Sequence, residues 1–274
     1  MPQHTNGTFG RSPRLTPTSK SIVVFMDYTE ENTERETAGE WSDACCSSGI
    51  PVPEYLSRIY WWTYIHPLAV WAFDRQWVVN LLLLTQYNRL RRKALEAAGE
   101  ALTGKTLLVS CPYGDLITEL TKRVMAGNGA LDIVDVLPIQ LRNARKKLPR
   151  GASVRLMNMN ADHLDLPSSA YDRVMIYFLL HEVPNDVRAA LLREAFRVLK
   201  PGGRFILAEF AMPRWWNPFR YLWAVFLTIF EPFALDMWRT DIADMLPSST
   251  RGFQLRQDRY FGGLFQRTVV TKDR

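Results

Sequence analysis

The stretch Thr106-Leu-Leu-Val-Ser-Cys-Pro-Tyr-Gly-Asp115, followed by Leu116–Met125 and then by Ala130-Leu-Asp-Ile-Val-Asp135, decides the fold class. Thr106–Ser110 is a short apolar run of strand length, and Leu116–Met125 repeats its apolar residues at helical spacing. Ala130–Val134 reads as a second strand, and it is followed by an acid, Asp135. Strand, helix and strand in this order form the repeating unit of a parallel sheet.

The alternation continues downstream. Ile139–Leu148 reads as a helix with a basic outer face, Ser153–Met157 and Tyr171–Tyr177 as strands, Asn185–Leu199 as a helix and Gly203–Glu209 as a strand. The run Arg197-Val-Leu-Lys-Pro-Gly-Gly203 ends that helix in a Pro-Gly-Gly turn before the strand. Residues 213–246 interrupt the pattern with an aromatic, helical insertion. Gln254–Tyr260 and Phe265–Thr271, with Gly262-Gly263 between them, read as a closing antiparallel hairpin. The expected fold is therefore α/β, a mostly parallel Rossmann-like sheet with helices on both faces.

Upstream, apolar residues recur at helical spacing from Tyr55 through Val70 and from Phe73 to Leu95, with Pro67 at a break or first turn. Gly99 and Gly104 end this region. Residues 51–103 are thus expected to form an N-terminal helical lid on an α/β domain of residues 104–274. Residues 1–20 are rich in Thr, Ser, Pro and Gly, hold Arg11, Arg14 and Lys20, and precede the first acid, Asp27. They read as a mitochondrial transit segment, as a disordered bacterial N-terminus or as the product of a start codon assigned too early. Residues 27–43 carry seven acids against Arg35 alone and read as a solvated linker, so order is expected from near Pro51.

A chain of 274 residues, 47% hydrophobic and 23% charged, is not disordered as a whole. Its net charge of +6 fits an anionic membrane surface or a nucleic acid and selects neither. No basic-aromatic stacking module is present, so no nucleic-acid partner is expected. Cys45, Cys46 and Cys111 show no CxxC spacing, which argues against a disulfide framework or structural zinc and for a reducing compartment. No run of about 18 apolar residues marks a membrane-spanning helix.

An open parallel sheet binds ligands at the carboxyl ends of its strands. The first such loop, Ser110-Cys-Pro-Tyr-Gly-Asp115, keeps only Gly114 of the glycines that would let a backbone approach a nucleoside closely. After the second strand, Asp135 could accept hydrogen bonds from both ribose hydroxyls, with Val136 beside it, or could cap the next helix. The third loop, Asn160-Ala-Asp162, offers a side-chain amide or carboxylate and a backbone N–H to an adenine ring, or is a turn rich in Asn and Asp.

In these loops the chain resembles class I S-adenosylmethionine (SAM) methyltransferases over about residues 104–210 and 253–272, especially those acting on ubiquinone and menaquinone precursors. The resemblance implies cofactor contacts at Ser110, Pro112, Gly114, Asp135, Val136, Asn160 and Ala161. The chain departs from the pattern at Leu108, where the family usually has an acid that helps to hold the amino end of SAM, and at Ser110 and Pro112, which replace two glycines. A second set of motifs is more specific. Tyr60-Trp-Trp-Thr-Tyr-Ile-His-Pro67, the run Asp74-Arg-Gln-Trp-Val-Val-Asn80 and Cys-Pro-Tyr-Gly-Asp at 111–115 resemble the rhodoquinone-biosynthesis (RquA) family from about Pro51 onward. That resemblance implies conversion of ubiquinone to rhodoquinone, with a ring methoxy group replaced by an amino group, SAM as nitrogen donor and a divalent metal, manganese, assisting.

Replacing an acid by Leu108 would remove a group that favours the ammonium form of the SAM α-amine. The candidates for chemistry are Tyr113 and Asp115 in the altered loop, His181-Glu182 after the fourth strand, and His66 before Pro67. Each also has a structural reading: a helix cap for Asp115, a satisfied surface pair for His181-Glu182, a packing role for His66. No dense His/Asp/Glu cluster identifies metal ligands. The aromatic segments at 61–77 and 215–238 are expected to cover the site, receive an isoprenoid tail and, beside Arg214, Arg220 and Arg239, meet a membrane interface. The implied setting is peripheral, on the cytoplasmic face of a bacterial inner membrane or the matrix side of the mitochondrial one.

Overall fold

In the computed structural model, β1 (Lys105–Val109) is buried from Thr106 onward and runs parallel to a strand on each side. The structure describes residues 50–231, 233–250 and 253–273. The expected transit or disordered segment and the acidic linker lie outside the described residues. Around β1 the sheet has the order β3-β2-β1-β4-β5-β7-β6, with β2 (Ala130–Asp135), β3 (Val154–Asn158), β4 (Tyr171–Tyr177), β5 (Leu199–Phe210), β6 (Gln254–Tyr260) and β7 (Phe265–Thr271). The first five strands are parallel, and β7 pairs antiparallel with both β5 and β6. Pairing between β4 and β5 shifts at Pro201-Gly-Gly203: Tyr171 pairs with Leu199 but Arg173 with Arg204, so the turn bulges out of β5.

Side chains alternate across the sheet and divide the core. Leu108, Met175 and Ile206 pack with one set of helices, while Leu107, Val109, Val174, Ile176 and Leu207 pack with the other. The helices are α1 (Glu54–Arg58), α2 (Pro67–Phe73), α3 (Gln76–Leu82), α4 (Tyr87–Ala98), α5 (Leu116–Ala126), α6 (Pro138–Arg145), α7 (Asn185–Val198), α8 (Phe219–Phe230), α9 (Ala234–Arg239) and α10 (Ile242–Met245). The two long helices expected upstream are broken into shorter ones. A π turn, Trp61–Ile65, separates α1 from α2, and Leu84 and Thr85 take positive φ between α3 and α4. The expected helix Ile139–Leu148 is also shorter, because Lys146 ends it as a cap.

Helix α4 buries Tyr87, Leu90, Ala94, Leu95 and Ala98 on one stripe. Its last carbonyls are satisfied from the strands: Arg173 donates to Ala98 O and Arg204 to Ala97 O. At its other end the Tyr87 hydroxyl accepts from Asp115 N (2.8 Å) and Leu116 N (3.1 Å) and donates to Asp115 Oδ1 (2.9 Å). Tyr87 thus caps α5 from outside and pins the β1–α5 loop. Tyr87→Phe strands two buried N–H groups, and we expect a loss of about 2 kcal/mol. A lower urea midpoint with unchanged slope would show it; an unchanged midpoint would mean that water replaces the hydroxyl.

Candidate active site

A pocket opens where β1 and β4, neighbours in the sheet, send their following chains to opposite sides. Its floor is the row of strand ends: Ser110–Tyr113 after β1, Asp135–Leu137 after β2, Met159–Ala161 after β3, Phe178–Glu182 after β4 and Phe210 at the end of β5. Its roof comes from two directions. Tyr55, Trp62, Tyr64, Phe73, Val79 and Leu83 descend from the N-terminal helices, and Trp223, Phe226, Phe230 and Glu231 from α8 and just beyond.

The β1 loop keeps a glycine-like backbone with a single glycine, Gly114. Ser110 holds φ +74° and Gly114 φ +83°, so Ser110 carries strain of about 1–2 kcal/mol that glycine would not. A Cβ on Gly114 would collide with the Tyr87 hydroxyl, which fixes glycine there. Cys111 is enclosed, and burial pushes its thiol well up, so it is not a thiolate nucleophile. Asp135 holds the loop from the β2 side: Oδ2 accepts from Cys111 N (2.8 Å) and Oδ1 from Leu137 N (2.9 Å). Burial pushes its carboxyl up to about 6, against the pull of these N–H groups. The Cys111 thiol and Val136 N also act on this carboxylate.

Tyr113 fastens the N-terminal roof. Its ring stacks on Tyr64 (5.5 Å between centroids, 16° between planes) and on Phe73 (6.4 Å, 21°). Its hydroxyl donates to Thr63 O (2.6 Å) and accepts from Gln140 Nε2 (2.9 Å). The phenol is raised, chiefly by burial, and stays neutral. Gln140 Oε1 is buried without a partner beside the pocket.

The opposite wall is acidic. His181 and Glu182 lie on a 3-10 turn, Leu180–Glu182, after β4 and are buried rather than a surface pair. His181 Nδ1 is 2.8 Å from Glu209 Oε1, and its Nε2 is 3.6 Å from Glu182 Oε1. Burial opposes charge on the imidazole, but Glu209 outweighs it and carries His181 up to about 9. Arg188 holds the turn by donating to Leu180 O and Val183 O. Tyr64 donates to Glu182 Oε1.

The structure thus brings Ser110, Pro112, Tyr113, Asp135, Val136, Asn160, Ala161, His181 and Glu182 to one pocket. It leaves three expected residues out of the lining. Gly114 faces Tyr87, Asp115 is bound by the Tyr87 hydroxyl and Arg91, and His66 is exposed at the N-cap of α2. Nor does Asp115 cap α5 with its side chain. Sequence reading did not single out Glu209 or Glu231. The one signal for Glu231 is an acid ending the apolar run of α8.

Sheet order, the antiparallel β7 and the pocket over the β1–β4 junction define a class I SAM-dependent methyltransferase fold. Similar solved structures include Haemonchus contortus phosphoethanolamine N-methyltransferase 2 (TM-score 0.56, 11% identity, 82% of this chain and 61% of that one). Human N-acetylserotonin methyltransferase is also similar (TM-score 0.54, 16% identity, 86% and 66%). More narrowly, the model of the ubiE/COQ5 methyltransferase family matches residues 73–254, and the chain belongs to that family. The ubiquinone/menaquinone biosynthesis C-methyltransferase UbiE of Proteus mirabilis (strain HI4320) is 32% identical over 126 residues, 45% of this chain and 49% of that protein. The demethylmenaquinone methyltransferase of Tropheryma whipplei (strain Twist) is 32% identical over 144 residues, 52% and 56%. The chain spans about half the length of the curated relatives it matches.

Proposed function

We propose that the protein uses SAM to modify the ring of a lipid quinone, and specifically that it converts ubiquinone to rhodoquinone by exchanging a ring methoxy group for an amino group. The observation that carries the finer reading is Leu108, fully buried in β1 where the family usually has an acid. Without that acid, nothing at this position favours the ammonium form of the SAM α-amine, and a nitrogen donor must react as the neutral amine. When bound, SAM supplies the nitrogen; Asp135 would hold the ribose and Asn160 and Ala161 the adenine. Strand-end groups of this kind beside a buried, unpartnered Gln140 Oε1 fit a nucleoside.

The rest of the pocket suits a quinone: aromatic walls with a few polar groups gathered beside Glu182. The lids also present large apolar side chains outward, including Trp71, Trp77, Trp215 and Tyr221, the last two on the insertion side. These support peripheral contact with a membrane that holds the substrate. Among the described residues, no helix is long and apolar enough to cross one. The RquA resemblance also implies manganese. Among the described residues no group of three or more His, Cys, Asp or Glu side chains could hold it, so the reading is carried without a metal step. The second reading, ordinary SAM-dependent methylation of a quinone precursor, is favoured by the family match itself.

Mass spectrometry of quinones after incubation with short-chain ubiquinone, SAM and Mn²⁺ separates the two. We expect loss of methoxy with gain of amino, nitrogen label from amino-labelled SAM and none from methyl-labelled SAM. A methylated product from a demethylated precursor, with ubiquinone untouched, would establish the second reading instead.

A further inference from the structure

The pocket holds more acid than the cofactor reading uses. Two carboxylates line it below the roofs, Glu182 after β4 and Glu231 just after α8, and a third, Glu209 at the end of β5, is buried behind His181. Two cationic side chains face them. His181 stands between Glu209 and Glu182, and Arg188 of α7 lies near Glu209 but also near Asp236. The guanidinium of Arg188 is engaged by the carbonyls of Leu180, Val183 and Phe233. The other titratable neighbours are phenols, Tyr55, Tyr60 and Tyr64 from the N-terminal roof and Tyr113 from the β1 loop, with Asp135 across the pocket. Glu231 is the odd member. Its Oε2 is buried with no hydrogen-bond partner, and the Tyr60 hydroxyl stands beside it without a regular hydrogen bond. Carboxylates outnumber cations around this enclosure, and a proton neutralises the excess negative charge at least cost.

We propose that Glu182 and Glu231, reaching the pocket from the β4 loop and from the insertion, hold one proton between them and form the catalytic acid–base pair for the substrate ring. Their environment agrees. Burial raises both carboxyls; the charges of Glu231 and Glu209 raise Glu182 further, while His181 and Tyr64 pull it down. The inference rests on the quinone-aminating reading. There, the ionised carboxylate takes the proton that the incoming amine loses as the new C–N bond forms. The protonated carboxyl gives its proton to the departing methoxide as the C–O bond breaks. Methanol leaves, no electron is gained or lost in this exchange, and the pair again holds one proton. The ring nitrogen is still bonded to the α-carbon of SAM. The amino group is freed when the α-proton shifts to leave an imine with two electrons on the ring, and water splits that imine into the amino hydroquinone and a 2-oxo acid.

Two measurements test the pair. Infrared spectroscopy of the wild-type protein at neutral pH should show a protonated carboxyl band that disappears in both Glu231→Gln and Glu182→Gln. Glutamine keeps the shape and cannot titrate. In the quinone assay each variant should lose about a hundredfold or more in turnover, the usual scale for a lost acid or base, with SAM affinity within about threefold of wild type. The double variant should be no slower than the slower single, because the two act as one unit. Absence of the band in the wild type at neutral pH overturns the pair, and needs no variant to fold. Its persistence in both variants, or unchanged turnover with an unchanged pH profile, does so too. A wild type that shows the band but leaves ubiquinone untouched overturns the amination reading and keeps the shared proton.

Discussion

Asp135→Asn is expected to weaken SAM binding about a hundredfold, and to do so without unfolding the protein. The proposed contact is a pair of ribose hydroxyls donating to one carboxylate, and hydrogen bonds to a charged acceptor are worth about 1.5–3 kcal/mol each. The substituted amide would also turn an N–H₂ toward either Cys111 N or Leu137 N, both of which now donate to the carboxylate. The β1 loop and the ribose would therefore be released together. The pH dependence gives a second handle. Burial pushes Asp135 up to about 6, from an ordinary value of about 4. For an acid raised on folding, the native state binds the proton more tightly than the unfolded chain. Its contribution to stability is therefore fullest below about pH 4 and is lost as pH rises through 6. Ribose binding needs the opposite, ionised form, so SAM affinity in the wild type should fall as pH drops through 6. In Asp135→Asn that slope should vanish. Isothermal titration at several pH values would measure both, and an affinity slope that survives the substitution would remove Asp135 from the cofactor site.

What could be seen in the chain beforehand follows from the range of the interactions involved. Strands such as Ala130–Asp135 and Tyr171–Tyr177 are largely buried, and their apolar residues, in alternation with helical segments, announced a parallel sheet. The place of Asp135 in the pocket lining was legible because a strand end and a crevice coincide in this topology. Asp115 was not, because its partners Tyr87 and Arg91 lie 28 and 24 residues upstream, on a helix whose packing no local pattern reveals. Of the breaks in the N-terminal helices, Pro67 marked one, as the first turn of α2, and the other was hidden. Leu84 and Thr85 adopt positive φ, which these residue types do not advertise. The acidic wall is assembled from residues 182, 209 and 231, so it exists only after β5 and α8 have docked over the β4 loop. Sequence reading saw His181-Glu182 as a local pair, whereas the charge balance that matters is set by Glu209 and Glu231.

Glu209→Gln should be the most damaging single change to stability, costing about 3 kcal/mol near pH 6. Glu209 is fully buried and serves three donors: Leu180 N (2.8 Å), Phe210 N (2.8 Å) and His181 Nδ1 (2.8 Å). An amide can accept at one atom only, so at least one of these donors faces an N–H₂. The larger part of the loss is electrostatic, since removing one member of a buried ion pair leaves the other uncompensated. The sign follows from His181. Its pKa is carried up to about 9 by Glu209 despite burial, so its contribution to stability is complete below the ordinary value of about 6.5 and is lost as pH rises through 9. Without Glu209, burial prevails and the imidazole is neutral across that window. The deficit of Glu209→Gln relative to wild type should thus be largest at about pH 6 and narrow steadily toward pH 9, leaving only the backbone hydrogen bonds. Urea unfolding of both proteins across this range would show the convergence. A deficit that stays constant with pH would mean that Glu209 serves the backbone of the β4 turn alone and does not hold a charged His181.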